Sequence, residues 1–150
     1  VRGDVHLIKI GNRTNIQDNS CLHTLNGKAP VILGDDVTIG HSVTLHGCVV
    51  HDGALIGMGA TVLDHAEVGK GAIVAAGALV LSNTKIGDGE LWAGVPAKFI
   101  KKVDPVQAAE LNQTYARHYI EYSDWFRNAD ADARNTQEVT TSEDYRAYDD

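Results

Sequence analysis

At 150 residues, 43% of them apolar and 22% charged, the chain has material for one domain with a continuous core. Its net charge of −7 comes without a basic stripe, which excludes nucleic acid and anionic membrane as partners, and no apolar run approaches the ~18 residues of a membrane span. Two cysteines, Cys21 and Cys48, are too few for a disulfide frame and fit reduced, structural thiols in a cytoplasmic protein.

Residues 1–24 open without a methionine and already in a repeat, so further N-terminal coils are expected upstream. Apolar residues recur every six positions: Ile10, Ile16 and Leu22; then Leu33, Ile39 and Leu45; then Val50, Ile56, Val62, Val68, Val74, Val80 and Ile86. Neither the helical period of 3.6 nor the strand period of 2 accounts for a six-residue beat held over about 80 residues. Small residues such as Ser20, Ala54 and Ala60 stand four places after most of them, with Val49 in the same place after Leu45, and glycine often follows directly, as at Gly34 and Gly57. Repeats of this length stack as a parallel β-helix, here over 1–100, because no single coil can bury its own apolar row.

Between Leu22 and Leu33 the beat slips, and Asn26 to Pro30 read as a loop thrown out at a corner. A five-residue step separates Leu45 from Val50, and AGVPAK around Pro96 ends the repeat, since proline cannot donate to a ladder. A helix is expected over 104–127, with Asp104 as its cap and Pro105 as its first residue. Leu111, Tyr115, Tyr119, Tyr122 and Phe126 form a stripe along it that would pack on a β-helix. From 128 to 150 seven acids face two arginines, most of the chain's net charge, and with few large apolar residues this segment is expected to be a flexible tail.

Three histidines are placed by counting. With three hexads to a coil, Leu22 and Leu45 stack on one wall, so His23 and His46, each one residue further on, lie one rung apart at ~4.8 Å and can share a metal ion. His41 belongs to the preceding wall, five residues back at ~3.3 Å per residue, too far to reach the same ion through a bond of ~2.0–2.1 Å. It is expected to ligate an ion held by a neighbour, and such a heterologous contact closes most simply as a homotrimer with metal sites at the subunit interfaces. Neither cysteine falls in the histidine register to close a structural site. His6, His51, His65 and His118 lack a register partner and read as ordinary polar residues.

The runs RGD, NIQD followed by LH, IGHSVTLHGC, IGMGA and AGVPAK resemble the γ-class carbonic anhydrases, over residues 1 to about 126. The resemblance implies an all-β, left-handed parallel β-helix of hexapeptide repeats followed by a C-terminal α-helix. The left hand comes from the family alone and runs against the usual right-handed crossover. Also implied are a homotrimer and a zinc ion, or iron or cobalt, bound by His23 and His46 of one chain with His41 of the next. The implied activity is reversible hydration of CO2 to bicarbonate, the ion making water acidic enough to attack at neutral pH, as is established for carbonic anhydrase itself. Gln17 matches a residue that orients the attacking solvent, Tyr119 a tyrosine near the site, and Arg2, Asp4 and Asp18 an ion-pair network between subunits.

One departure from the family pattern matters. Where active members carry glutamates that pass the proton to solvent, this chain has Val5 and Asn26, which leaves His6 and Asp36 as candidate relays. That keeps two alternatives in view: a zinc-dependent thioesterase or acyltransferase-like hexapeptide enzyme, and a non-catalytic, metal-stabilised trimeric scaffold.

Overall fold

The computed structural model describes residues 1–128, and within the helix it does so for the backbone alone at 107–108, 111–113, 115–116 and 125–128. Each coil is three short strands. The first holds β1 (Ile8–Ile10), β2 (Asn15–Ile16) and β3 (Cys21–His23); the second β4 (Val31–Leu33), β5 (Thr38–Ile39) and β6 (Thr44–His46). The third holds β7 (Val49–Val50), β8 (Leu55–Ile56) and β9 (Thr61–Val62); the fourth β10 (Glu67–Val68), β11 (Ile73–Val74) and β12 (Leu79–Val80). Then come β13 (Lys85–Ile86), β14 (Glu90–Ala93), β15 (Lys98–Lys102) and the helix α1 (Pro105–Asn128).

Stacking sorts these strands into three walls: β1-β4-β7-β10-β13, β2-β5-β8-β11-β14 with β15 at its end, and β3-β6-β9-β12. Every pairing is parallel except β14 with β15. The period-six residues point inward: Leu22, Leu45, Val62 and Val80 form one fully buried row on the third wall. Ile10, in register with Leu33, is instead 40% exposed, since β1 is the end strand of its wall among the described residues.

Two expectations need correction, and one strand was not expected. The inward small residue is set by counting back two places from the next apolar one, so the five-residue step puts Cys48 in the core and leaves Val49 half-buried. The surplus loop does leave the core at Asn26, Gly27 and Lys28, all exposed, but a bridge between Leu25 and Ala29 closes it and buries Ala29. The repeat does end at AGVPAK, but the chain then returns as β15, whose five residues KFIKK are all exposed. A strand solvated on both faces carries no alternation to read, and its lysines blunt the open edge.

Corners explain residues that the six-beat leaves unexplained. At 36, 42, 47, 53, 59, 65, 71, 77, 83 and 89, φ lies between 55° and 68°, the left-handed region that suits glycine, asparagine and aspartate. The glycines that follow the apolar row have another cause: a Cβ on Gly57 would stand 2.5 Å from the Ala76 backbone nitrogen of the next coil.

At the helix start, Asp104 Oδ1 accepts the Val106 N–H at 2.8 Å, with Pro105 as the first helical residue. Contacts divide the chain into two units, Val1–Tyr119 and Ile120–Asp150. Tyr119 and Tyr122 are half-buried. The Leu111, Tyr115 and Phe126 side chains and the acidic segment 129–150 lie outside the described residues.

On the outer side of the first wall His51 does have a partner: its Nε2 lies 2.7 Å from Glu67 Oε1, and Lys85 donates to the other oxygen. Hydrogen bonds from Lys85, then His51, hold Glu67 below the usual carboxylate value of 4.5. A depressed folded pKa contributes stability that is present above the unfolded value and lost as pH falls through the folded one. Lys85→Met is therefore expected to be less stable than wild type from about pH 5 upward, with the gap closing under more acid conditions. Urea midpoints taken across that range check it, and a gap that persists undiminished at the acid end contradicts the pairing.

Candidate metal centre

Because Leu22 and Leu45 point inward, alternation along β3 and β6 turns His23 and His46 outward, and the two pair directly in register. The ring centroids are 5.1 Å apart and the planes tilted by 53°. Nδ1 of His23 faces Nε2 of His46 at 3.1 Å. The remaining nitrogen of each ring meets a carboxylate: His23 Nε2 lies 3.1 Å from Asp4 Oδ1, and His46 Nδ1 2.6 Å from Asp64 Oδ1.

These neighbours assign the tautomers. A carboxylate accepts only from N–H, so each ring in its neutral form turns its N–H toward the acid and its lone pair toward the other ring. Two lone pairs 3.1 Å apart repel unless positive charge lies between them. Two nitrogens bound tetrahedrally to zinc at ~2.0–2.1 Å stand ~3.3 Å from each other, so the donor set fits a metal ion.

Arg2 is bridged to His23 through the backbone and donates from Nη1 to Asp4 Oδ2 at 2.6 Å. Against desolvation, which alone would raise it, hydrogen bonds with Arg2 and His23 hold the Asp4 carboxyl below its ordinary value. Behind the pair, burial first and the charge of Asp64 second push the Cys48 thiol up to about 12, which keeps it inert.

His41 lies elsewhere, in the corner between β5 and β6. Its Nδ1 is 3.4 Å from Asp18 Oδ2 and its Nε2 3.3 Å from the Tyr119 hydroxyl. Gln17 stands on the same edge, its backbone N–H bonded to Ile39 O and its amide donating to Asn15 Oδ1 at 3.3 Å. Among the described residues, no three His, Cys, Asp or Glu side chains gather closely enough to hold an ion within one chain. The residues singled out in the sequence thus fall into two clusters: Arg2, Asp4, His23 and His46 on the third wall, and Gln17, Asp18, His41 and Tyr119 along the adjoining edge. Within the chain the Arg2–Asp4 pair and Asp18 belong to different clusters, because Asp18 occupies a corner and the pair precedes β1.

The two candidate relays have other partners within the chain. Arg13 grips Asp36 with Nε and Nη2 at 2.6 and 2.7 Å, in the corner between β4 and β5. His6 Nδ1 accepts the N–H of Leu7. Val5 and the loop after His23 do come together, the Val5 carbonyl accepting the Gly27 N–H at 3.4 Å.

Asp64 is the residue that sequence reading missed. It stands two places after Val62 as Gly47 stands two places after Leu45, so stacking sets it beside Gly47, one coil on from His46. Register arithmetic carried one coil further identifies it. His51, Glu67, Lys85, Asp88 and Glu90 line a separate cleft of about 430 Å³ on the first wall.

Comparison with known proteins agrees with this architecture. A family model described as bacterial transferase hexapeptide (six repeats) matches residues 47–82. A carbonic anhydrase of Geobacillus kaustophilus is 50% identical over 127 residues, 85% of this chain and 69% of that protein. The chain belongs to the γ-class carbonic anhydrase family. Gamma carbonic anhydrase 1, mitochondrial, of Arabidopsis thaliana is 52% identical over 76% of this chain and 43% of its own length. The chain spans about half the length of the three Arabidopsis relatives it matches. The crystal structure of a hexapeptide transferase family protein from Anaplasma phagocytophilum superimposes with a TM-score of 0.73 at 39% identity, covering 81% of this chain and 72% of that one. The winding of this γ-class chain is accordingly the left-handed one of the hexapeptide β-helix. Among the described residues no helix is long and apolar enough to cross a membrane.

Proposed function

We propose that this chain is a γ-class carbonic anhydrase that hydrates CO2 reversibly, with His23 and His46 of one copy and His41 of a second holding a divalent metal ion, zinc, iron or cobalt. The observation that carries the reading is the pair of imidazole lone pairs turned on each other at 3.1 Å, each ring backed by a carboxylate, with no third ligand in reach among the described residues. His41, on an edge of its own, is the donor that another copy supplies, and three copies close the ring as a homotrimer. Such an ion, when bound with one position open, supplies the Lewis acidity that turns water into a nucleophile at neutral pH.

The chain's own residues set the rest of the chemistry. Asp4 and Asp64 keep the two rings in the ligating tautomer. Gln17 stands on the His41 edge, where its amide would meet solvent at the junction of two copies. Each hydration releases one proton with the bicarbonate. Val5 and Asn26 have no titratable group to carry it, so it leaves through water and buffer.

Stopped-flow CO2 hydration on zinc- and iron-loaded protein tests this, with a rate that rises with buffer concentration as the expected result. A rate equal to buffer alone overturns it. Because the ligands come from two chains, chelation is expected to strip the ion and shift the trimer toward smaller species on gel filtration. A monomer that keeps its metal contradicts the division of ligands. The transferase name of the similar solved structure supports a second reading, acyl transfer or thioester hydrolysis, and activity on a thioester without CO2 hydration would establish it.

A further inference from the structure

We propose that Asp64 is a positioning residue of this centre, its carboxylate holding His46 by Nδ1–H so that Nε2 stays bare and aimed at Nδ1 of His23. The inference rests on the metal-centre reading above and goes beyond it, since the ligands themselves do not say what orients them.

Three observations carry it. The Asp64–His46 contact is 2.6 Å, against 3.1 Å for Asp4 with His23. Asp4 divides its charge between Arg2 and His23 and is 45% exposed, whereas Asp64 is 26% exposed, so water competes less for its oxygens. The chain also clears a path for it. Gly47 follows His46, and a Cβ there would sit 2.4 Å from Asp64 Oδ1 and 2.8 Å from Ala29 Cβ, so any larger residue would drive the carboxylate off the ring.

The chemistry follows from the bond. An imidazole has one ligating lone pair only when its other nitrogen carries the proton, and the carboxylate decides which nitrogen that is. The same hydrogen bond makes the ring a better donor, and its loss typically costs 10–100-fold in metal affinity.

Asp64→Asn tests this on the full chain. Zinc affinity, measured by competition with a chromophoric chelator, is expected to fall about 10–100-fold. In ¹⁵N-histidine long-range correlation spectra, the wild type is expected to show His46 protonated at Nδ1, and the variant to lose that preference. The visible spectrum of the cobalt-loaded variant is expected to differ from wild type. A D64N protein within twofold of wild-type zinc affinity, with His46 still protonated at Nδ1, overturns the inference and leaves the metal centre standing. Wild type that takes up no zinc overturns both. Should D64N not fold, Asp64→Glu keeps the charge and moves the oxygens. It is expected to show the same spectral changes with a smaller affinity loss, and a wild-type spectrum there overturns the inference.

Discussion

His46→Ala is expected to abolish metal binding and lower kcat/KM for CO2 hydration by about 100-fold or more, since losing a ligand exceeds the 10–100-fold typical of losing its supporting bond. Only one of the two facing nitrogens then remains. The variant is expected to fold, because Leu45 still points into the core and the His46 ring stands half-exposed on the wall. Thermal melting of the metal-free proteins separates the two effects: similar transitions with activity gone places His46 in the centre, whereas a folded variant that retains a tenth of wild-type activity shows that the centre is elsewhere. His41→Ala is informative in mixed oligomers. If the third ligand comes from another copy, His41→Ala and His46→Ala chains assembled together regain some complete centres, which two halves of a single-chain site cannot do.

Leu45→Ala is expected to cost about 2–5 kcal/mol in the metal-free protein, the range for a fully buried leucine whose surroundings cannot close over the cavity. Leu45 is 0% exposed, stacked between Leu22 and Val62, and the coils on either side hold its neighbours at strand spacing. A row locked by ladder hydrogen bonds has little freedom to collapse inward. Leu81→Ala removes the same side chain from an outward place beside the buried Val80, where 45% exposure leaves less to lose, and is expected to cost under about 1 kcal/mol. Urea midpoints at one protein concentration, with chelator present, keep ligand and assembly linkage out of the comparison. Equal losses at the two positions would contradict the sorting of apolar residues into inward and outward places.

Several features were legible because stacking repeats them. One inward place per strand gives the six-beat, and the same beat carries His23 onto His46, since any two residues one coil apart in the same phase become neighbours. The corners share a period as regular, but it went unread: Asp36, Ser42, Gly47, His65 and Asn83 have no side-chain chemistry in common, only a positive φ. Cys48 was misplaced by one because the five-residue step shortens the corner before Val50 rather than after it. Ala29 was misjudged because composition marks a loop without saying whether it folds back over the core.

Spacing alone determined the coil, its three walls, the rung shared by His23 and His46, and the separation of His41 from them, because in a stacked repeat sequence distance converts directly to position. Only the tertiary structure decided which nitrogen of each ring faces the other, that Asp4 and Asp64 stand behind them, and that Asp36 is spent on Arg13. Those outcomes depend on side-chain rotamers and on groups brought together from different coils, and a repeat period carries no information about where a side chain turns once its backbone place is set.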